Sequence, residues 1–271
     1  MMIMEGCSME FHRLRWLRAL LRASLRLDLT FRASWFLDLF GRLVQFAVTV
    51  LFFELLYAGR PAIGGVPWED MLVLLGTYQC MRTLSDTVFS ATNRICAKVE
   101  EGTLDYDLLK PVGARLLASV GRIRTTRLIE MIAGLFLVLR GMNSVPGRQA
   151  GPGNWAAFGL LVLLGAWIKY CLVFILNCSS FWIIETYGLY SLFDQVFDLA
   201  RYPITVFRGF WRILFSYVMP VTLVANLPVM ALIESPGTGL ILPAVLHALA
   251  WYLAGNGLWK VALRRYSGAS A

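Results

Sequence analysis

Long apolar blocks separated by short polar segments dominate the pattern along this chain. The blocks cover residues 35–57, 68–92, 128–139, 155–184, 213–233 and 240–261, of which only 128–139 is clearly shorter than the others. An α-helix needs about 20 apolar residues to cross roughly 30 Å of hydrocarbon, and most of the blocks reach that length. A soluble domain could bury one such helix, but not several in a chain of 271 residues. The pattern therefore predicts an all-α, polytopic membrane protein.

The distribution of basic residues between the blocks predicts the topology. Six arginines precede residue 35, and seven basic residues lie at 93–127, whereas the loops at 58–67 and 140–154 carry one and two. Because cytoplasmic loops are enriched in Lys and Arg, both termini and the 93–127 loop are expected inside. Six transmembrane helices follow if residues 185–239 make one net crossing.

Two regions fit this count less simply. The stretch at 128–139 reaches membrane length only if its helix starts near Leu116. Residues 185–239 hold two helical stretches for one crossing, and Pro220 and Pro228 interrupt the second. A proline-broken helix at membrane depth is tolerated only where protein or a cavity covers the freed backbone groups. One stretch is therefore predicted to cross, and the other to lie at the interface or re-enter as a gating element.

A basic amphipathic segment precedes the first block. Its arginines recur at helical spacing beside a leucine face, at Arg15, Arg18, Arg22 and Arg26. This pattern predicts a helix at the cytoplasmic headgroup level within residues 1–34, with a loose, charged lead-in as the alternative. No cleavable signal peptide is expected, because the first clean apolar run follows this Arg-rich stretch. Residues 35–265 would form the membrane domain, and 266–271 a short cytoplasmic tail.

Composition and motifs exclude several other functions. The chain is 58% hydrophobic and carries a net charge of +8, which the loops supply and which favours contact with lipid headgroups over nucleic-acid binding. The five cysteines are odd in number and form no CxxC, so neither a disulfide framework nor a zinc site is predicted. The sequence contains no HExxH, GxSxG or GxxxxGK[ST] motif. It therefore predicts no catalytic residues, no metal site and no nucleotide-binding loop.

Charged side chains inside the apolar blocks are candidate functional residues. Asp38 precedes Arg42 by four positions, and Arg82 precedes Asp86 by the same spacing. Residues four apart lie on one face of a helix, so each pair is expected to meet there. Such a pair is the least costly way to hold charges within a membrane. The two pairs are therefore interpreted mainly as structural support.

The inside loop at 93–115 contains the signal of a short helix. Gly102 permits a tight turn, and Thr103 can cap a helix that ends before Pro111. Leu104 and Leu108 would share one exposed side. The segment is either a docking knob or an ordinary interfacial loop helix. The residues expected to contact a partner are Glu100, Glu101, Gly102, Thr103, Leu104, Asp105, Leu108, Leu109 and Pro111.

Several short motifs of this chain resemble those of one family. The run Glu101-Gly-Thr-Leu-Asp105, followed by Leu108-Leu-Lys-Pro111, is similar to the cytoplasmic loop of type-2 ABC exporter permeases. Other matches occur in family order between about residues 30 and 265. They are Phe181-Trp182, Tyr202-Pro203 with Phe207 and Arg212, and Val218-Met-Pro220 through to Pro228. The branch that they resemble is described as ABC-2 family transporter proteins.

The resemblance implies a dimeric membrane unit, formed with an identical or a distinct second permease, above two cytoplasmic ABC ATPase subunits. The loop segment at 101–111 would be the coupling helix, which acts as a lever on the second and third spans. Tyr202, Pro203, Pro220 and Pro228 would belong to a re-entrant outer gate. ATP and magnesium would bind the ATPase, so this chain would hold no cofactor and catalyse no reaction itself. Its place would be the bacterial inner membrane, in contact with lipids.

Two other classes of function stay open from the residues alone. An ATPase-independent secondary transporter would need titratable groups facing a cavity, for which Lys169, Glu130 and Glu54 are candidates. No relay pattern in the sequence links these three residues. A membrane scaffold or lipid-modifying enzyme would be favoured by stable isolation of the chain alone and by turnover without ATP.

Overall fold

The computed structural model describes residue 30 and residues 32–109, 114–120, 125–182, 187–234 and 238–266. The predicted amphipathic segment with Arg15, Arg18, Arg22 and Arg26 lies outside the described residues, as do Pro111 and all but the first residue of the predicted tail. Eleven α-helices occur within the described ranges. In chain order they are α1 Arg32–Tyr57, α2 Trp68–Val88, α3 Ile95–Glu100, α4 Asp105–Leu108, α5 Ala114–Ser119, α6 Thr125–Asn143, α7 Pro152–Cys178, α8 Tyr187–Phe197, α9 Gly209–Ile213, α10 Val221–Ile233 and α11 Thr238–Arg265.

Shorter elements connect these helices. A two-residue hairpin joins α1 to α2, with β1 (Ala62–Ile63) antiparallel to β2 (Val66–Pro67). Gly64 and Gly65 form its turn with φ values of 61° and 82°, which residues with a Cβ rarely adopt. Other connections contain 3₁₀ turns at Thr92–Arg94, Ser179–Phe181, Asp198–Arg201 and Ile204–Val206 and a π-helical turn at Leu214–Val218.

The prediction of an all-α membrane protein is confirmed. Three helical stretches are long and apolar enough to cross a membrane, at Arg32–Tyr57, Pro152–Phe181 and Gly239–Arg265. α2 and α6, with 21 and 19 residues, carry charged side chains that lower their hydropathy. The expected extension of α6 back to Leu116 is wrong, because Ala114–Ser119 forms the separate helix α5. Six crossings stay a prediction.

A seam of small residues joins α2 and α6 in antiparallel orientation. A Cβ built on Gly76 would lie 2.4 Å from the backbone oxygen of Gly134, and one on Gly141 would lie 2.5 Å from that of Glu69. The two backbones therefore approach as closely as glycine allows. Within a membrane, where lipid is as apolar as leucine, such close packing drives helices together.

α7 lies at the centre of the fold and contacts α2, α10 and α11. Near its end Phe174 packs with its ring centroid 5.3 Å from that of Trp259, near the end of α11. Near its start Ala157 shares a buried cluster with Ala244, near the start of α11. α7 and α11 therefore run in the same direction, as the predicted topology requires of them.

The segment between α8 and α11 follows a more complex path. The ring of Tyr202 packs at a tilt against that of Phe53 of α1 with centroids 5.2 Å apart, and Thr205 reaches the β1–β2 turn beside Gly64. After α9 the chain returns, and α10 begins where Val224 meets Gly165, midway along α7. α10 then runs antiparallel to α7, because its later residues cluster with Ala157 and Leu161.

Replacing Gly76 with alanine tests the α2–α6 seam. The added methyl group would overlap the backbone of α6, and overpacking of this kind costs about 1–3 kcal/mol. We expect Gly76→Ala to lower the thermal unfolding midpoint in detergent by several degrees. The control is Gly159→Ala on α7, where a Cβ meets nothing within 4 Å. Equal midpoints for the two variants would contradict the seam.

Candidate functional site

Asp38 and Arg42 pair on one face of α1, as predicted. The Arg42 Nε lies 2.9 Å from the Asp38 Oδ1. The pair also extends to α6, where Arg42 Nη1 lies 3.1 Å from Glu130 Oε1 and Thr126 donates a hydrogen bond of 2.8 Å to Asp38. α1 is otherwise mostly exposed, so these polar contacts, together with the buried side chains of Phe53 and Tyr57 farther along it, attach the helix to the bundle.

The predicted pairing of Arg82 with Asp86 is wrong. Arg82 instead reaches across to α8 and the turn after it, with Nη2 3.0 Å from Asp194 Oδ2 and Nη1 2.8 Å from Asp198 Oδ1. Asp198 also accepts a hydrogen bond from Tyr78 of α2. Both residues therefore form their close ion pairs with charged groups of neighbouring helices, although their own two charges still interact along α2.

Asp86 binds two cations from other helices. Lys169 Nζ of α7 and Arg127 Nη1 of α6 each lie 2.9 Å from one of its carboxylate oxygens. Lys169 is only 1% exposed, and its ammonium group also lies 3.6 Å from Asp194 Oδ1 and 5.3 Å from the ring centroid of Phe197. Asp194 therefore links the Lys169 group to Arg82, and one connected set of ion pairs joins α2, α6, α7 and α8.

The charges in this region balance. A buried charge without a partner costs several kcal/mol, so balance is what the packing requires. Arg201 lies beside the same ion pairs and completes the set, which we name the charge network. Its five cations and five anions are Arg42, Arg82, Arg127, Lys169, Arg201, Asp38, Asp86, Glu130, Asp194 and Asp198. Glu54, which the sequence also singled out, is exposed on α1.

A cavity of about 180 Å³ lies beside the charge network, between α1, α2, α6, α8 and the turn at Asp198–Arg201. One face of α1 lines it with Gln45, Phe46, Thr49 and Val50. The other walls are mostly charged side chains of the network. The arrangement can bind a polar or charged group while covering it with protein, and we name it the charged cavity.

The predicted loop helix is present but is oriented differently from the expectation. Gly102 makes the tight turn with φ of 68°. The cap on Thr103 is wrong, because α4 starts at Asp105 after Leu104, with no capping side-chain hydrogen bond. Leu104 is 0% exposed, not on an outer side with Leu108. A four-residue helix has too little periodicity to show from sequence which side is buried.

Leu104 anchors the loop in a second buried cluster, which we name the aromatic cluster. It contains Ile95, Leu104, Ala118, Tyr170, Cys171, Phe174, Cys178 and Trp259. Its members come from the loop and from the ends of α7 and α11. The loop helix therefore packs on α7 and α11 rather than extending α2 and α6.

Arg115 also connects the loop to the aromatic cluster, through contacts with aromatic rings. Its guanidinium carbon lies 4.5 Å from the ring centroid of Phe174 on α7 and 4.6 Å from that of Tyr252 on α11. Its Nε donates a 3.3 Å hydrogen bond to the Tyr170 hydroxyl. Such cation–π contacts gain strength when water is excluded. The sequence indicated only a topology-determining charge here, because the ring on α11 lies far along the chain.

The opposite side of the loop helix is exposed. Tyr106, Leu108 and Leu109 are 71%, 37% and 83% exposed, and we name them the apolar tip. Asp107 is buried and pairs with Lys98 at 2.5 Å. Glu101 is exposed beside the tip, whereas the side chain of Glu100 and all of Pro111 lie outside the described residues.

Asp105 connects the loop with the end of α11. Burial raises the pKa of Tyr266, the residue after α11, and the negative charge of Asp105 raises that pKa further. The Asp105 carboxylate and the Tyr266 phenol are therefore close enough to interact electrostatically. The loop helix α4 therefore contacts the end of α11 through Asp105, and it contacts the aromatic cluster through Leu104.

The predicted gate residues lie in two segments, one just before the turn Ile204–Val206 and one at and within α10. Tyr202 and Pro203 precede the turn Ile204–Val206, whose first amide donates a 3.2 Å hydrogen bond to Asn226 Oδ1 of α10. Pro220 separates the π-helical turn from α10, as a helix break should. The expected break at Pro228 is wrong, because α10 continues through it. One missing N–H in an otherwise complete helix is tolerated within a membrane bundle.

Comparison with known families identifies the chain. A family model described as ABC-2 family transporter protein matches residues 43–270. The chain belongs to this family. It is therefore an integral membrane protein of the permease type found in ABC transporters, and the resemblance seen in its motifs is confirmed. No curated protein matches it significantly. The match to the family of ABC-2 transporters includes the apolar tip, the gate residues and most of the charge network.

Replacing Lys169 with methionine tests the charge network. The variant leaves the charge network with one more carboxylate than cations, and removing one partner of a buried ion pair costs about 3–5 kcal/mol. We expect a clearly lower thermal unfolding midpoint in detergent, and partial recovery when Asp194→Asn removes the excess charge. Lys260→Met, at an exposed lysine of α11, is the control. A midpoint for Lys169→Met equal to that of the control would rule out the network as a stabilising element.

Proposed function

We propose that this chain is the membrane subunit of an ATP-driven exporter, in which a separate ATPase acts on the loop helix α4. The orientation of α4 is the observation that supports this most directly. Its inner side is buried through Leu104 in the aromatic cluster, while the apolar tip is exposed. A short helix held rigidly on one side and apolar on the other has the form of a docking element.

The composition of the apolar tip fits a protein partner. Tyr106 and Leu109 are large, and their neighbours Glu101 and Asp105 supply a polar border. Protein interfaces commonly have such a centre, in which a few aromatic and aliphatic side chains provide most of the binding free energy. In an ABC transporter the partner that fits is the cytoplasmic ATPase, which would bind the ATP and magnesium.

Movement of α4 would pass into α7 and α11. Leu104 and Arg115 connect the loop to Phe174 and Trp259, near the ends of those two helices. The ion pair between Lys98 and Asp107 keeps the loop compact. This differs from the expectation that the lever acts on the second and third spans. The ATPase can shift the conformational equilibrium of this chain only if its contacts with the apolar tip differ between its two nucleotide states.

A six-crossing topology with both ends inside agrees with the contacts. In this proposal α1, α2, α6, α7, α11 and the stretch from α8 to Val206 cross, and α9–α10 re-enters from the outer side. α10 supports re-entry, because it starts midway along α7 and has only 13 residues. The outer side would hold the β1–β2 hairpin and the ion pair between Arg148 and Asp70. Tyr202, Pro203, Pro220 and Pro228 would then form the outer gate.

The proposed assembly contains two permeases and two ATPase subunits in the bacterial inner membrane. α1 would provide a contact surface inside the membrane, since large apolar side chains such as Phe40, Val48 and Leu55 are exposed along it. Within a bilayer this surface meets lipid or the second permease, identical or distinct. The chain itself would be non-catalytic, as permeases of this family typically are.

An ATPase-independent transporter is a second candidate, which the charge network favours. The network joins Lys169 and Glu130 to further charged groups beside a cavity, a link that the sequence did not show. Coupling to protons would require a group that changes its charge during transport. Export by membrane vesicles that contain this chain without its ATPase would support this candidate over the first.

Replacing Leu109 with aspartate tests the docking role of the apolar tip. The substitution places a charge at the centre of the proposed interface, and loss of a central apolar contact weakens binding by at least about 30-fold. We expect an ABC ATPase that co-purifies with the unmodified chain to be lost from Leu109→Asp. Leu109→Met, which keeps volume and polarity, should retain it. Normal co-purification with the aspartate variant would argue against docking at this tip.

Cysteine labelling tests the side of the membrane on which the tip lies. In a chain whose five natural cysteines are replaced by serine, Tyr106→Cys and Gln149→Cys each introduce one exposed thiol. A membrane-impermeant maleimide added to intact cells should label only residue 149. It should label residue 106 after the cells are opened. The reverse result would refute the proposed topology.

A further inference from the structure

We propose that the charged cavity binds the anionic headgroup of a membrane amphiphile. Identifying this amphiphile as exported cargo rests on the proposed function, but the binding itself does not. Three features of the cavity support the inference. They are its lining charges, its hydrogen-bond donors that have no acceptor, and the apolar side chains beside them.

The lining of the cavity contains one cation, Arg201, that has no carboxylate partner in the described part of the chain, whereas the other lining cations are all paired. Four of its side chains are arginines, whereas three are carboxylates, those of Asp86, Glu130 and Asp194. Each of these carboxylates already lies within 3.1 Å of a cationic nitrogen of the network. The charge that remains unpaired in the cavity is therefore positive, and it favours the binding of an anion over that of a cation.

Two of the arginines also have hydrogen-bond donors to spare. The Nε atoms of Arg127 and Arg201 are buried and make no hydrogen bond with the described residues. Arg201 forms no ion pair within the described part of the chain, and its guanidinium carbon stands 5.8 Å from the ring centroid of Tyr202. Buried donors without acceptors are unfavourable, so a ligand rich in acceptor oxygens would gain from meeting them. The planar guanidinium group matches the oxygens of phosphate and carboxylate.

Apolar side chains in the same cavity distinguish an amphiphile from a soluble anion. Phe46 and Val50 of α1 and Leu75 of α2 line the cavity beside the arginines. The outer face of α1 is exposed and apolar, with Val48 and Phe52 pointing away from the bundle. A headgroup could enter beside α1 while its acyl chains stay against apolar surface. A soluble phosphate would leave that surface unused.

The experiment measures lipid binding to the purified full-length chain in neutral detergent by native mass spectrometry. The probes are dioleoyl phosphatidylglycerol, dioleoyl phosphatidylcholine and soluble glycerol 3-phosphate. We expect one phosphatidylglycerol per chain, bound at least tenfold more tightly than phosphatidylcholine, and no retention of glycerol 3-phosphate. Equal affinities for the two lipids would overturn the proposal, and so would glycerol 3-phosphate binding as tightly as phosphatidylglycerol.

Two variants locate the site. Arg201→Gln removes a cation without breaking a described ion pair, and should weaken phosphatidylglycerol binding at least tenfold. Thr49→Phe fills the cavity without changing its charge, and should weaken binding of the same lipid; it also serves if Arg201→Gln does not fold. Arg140→Gln, at an exposed arginine on α6, should bind as the unmodified chain does.

The outcome is independent of the ATPase. If Arg201→Gln and Thr49→Phe both bind phosphatidylglycerol like Arg140→Gln, the cavity is not the site and the inference fails. Because no ATPase or nucleotide is present, this failure is separate from a failure of docking, which the Leu109 variants measure. A chain that binds the lipid but recruits no ATPase would retain the inference and overturn the proposed function.

Discussion

A fully buried ammonium group, that of Lys169 on α7, requires carboxylates from other helices, and this requirement constrains how the bundle packs. Asp86 of α2 and Asp194 of α8 meet it. Each of these carboxylates also binds an arginine, so the rotation of one helix about its axis affects the pairing of several others. In a medium of low dielectric constant a misplaced charge costs far more than a misplaced methyl group. The ion pairs therefore specify helix rotation more strongly than apolar contacts alone would.

The small-residue seam and the ion pairs specify the same alignment of α2 with α6. Gly76 lies opposite Gly134, and farther along the same antiparallel pair Asp86 lies opposite Arg127. A shift of one helical turn would lose both the close backbone contact and the ion pair. Agreement between independent contacts of this kind favours one structure over its competitors. It also explains how two helices with several charged residues remain stably packed.

What the sequence could predict depended on the distance between partners along the chain. Asp38 and Arg42 are four residues apart, and their contact followed from helical spacing. The partners of Arg82 lie more than 100 residues away, so the same spacing suggested the wrong pair. The apolar blocks indicated the long helices, and ordered motifs indicated the family. The buried side of α4 could not be predicted, since Leu104 is positioned by aromatic residues of α7 and α11 rather than by its neighbours.

α7 joins the two parts of the molecule to which functions are assigned. Lys169 belongs to the charge network, and the adjacent Tyr170 belongs to the aromatic cluster that holds the loop helix. A rigid helix cannot move one of these residues without moving the other. The proposed action of the ATPase on α4 therefore needs no separate connection to the charged cavity. Because ion pairs weaken as their partners separate and packed interiors change between discrete arrangements, a small displacement of α7 would redistribute the charges that line the cavity.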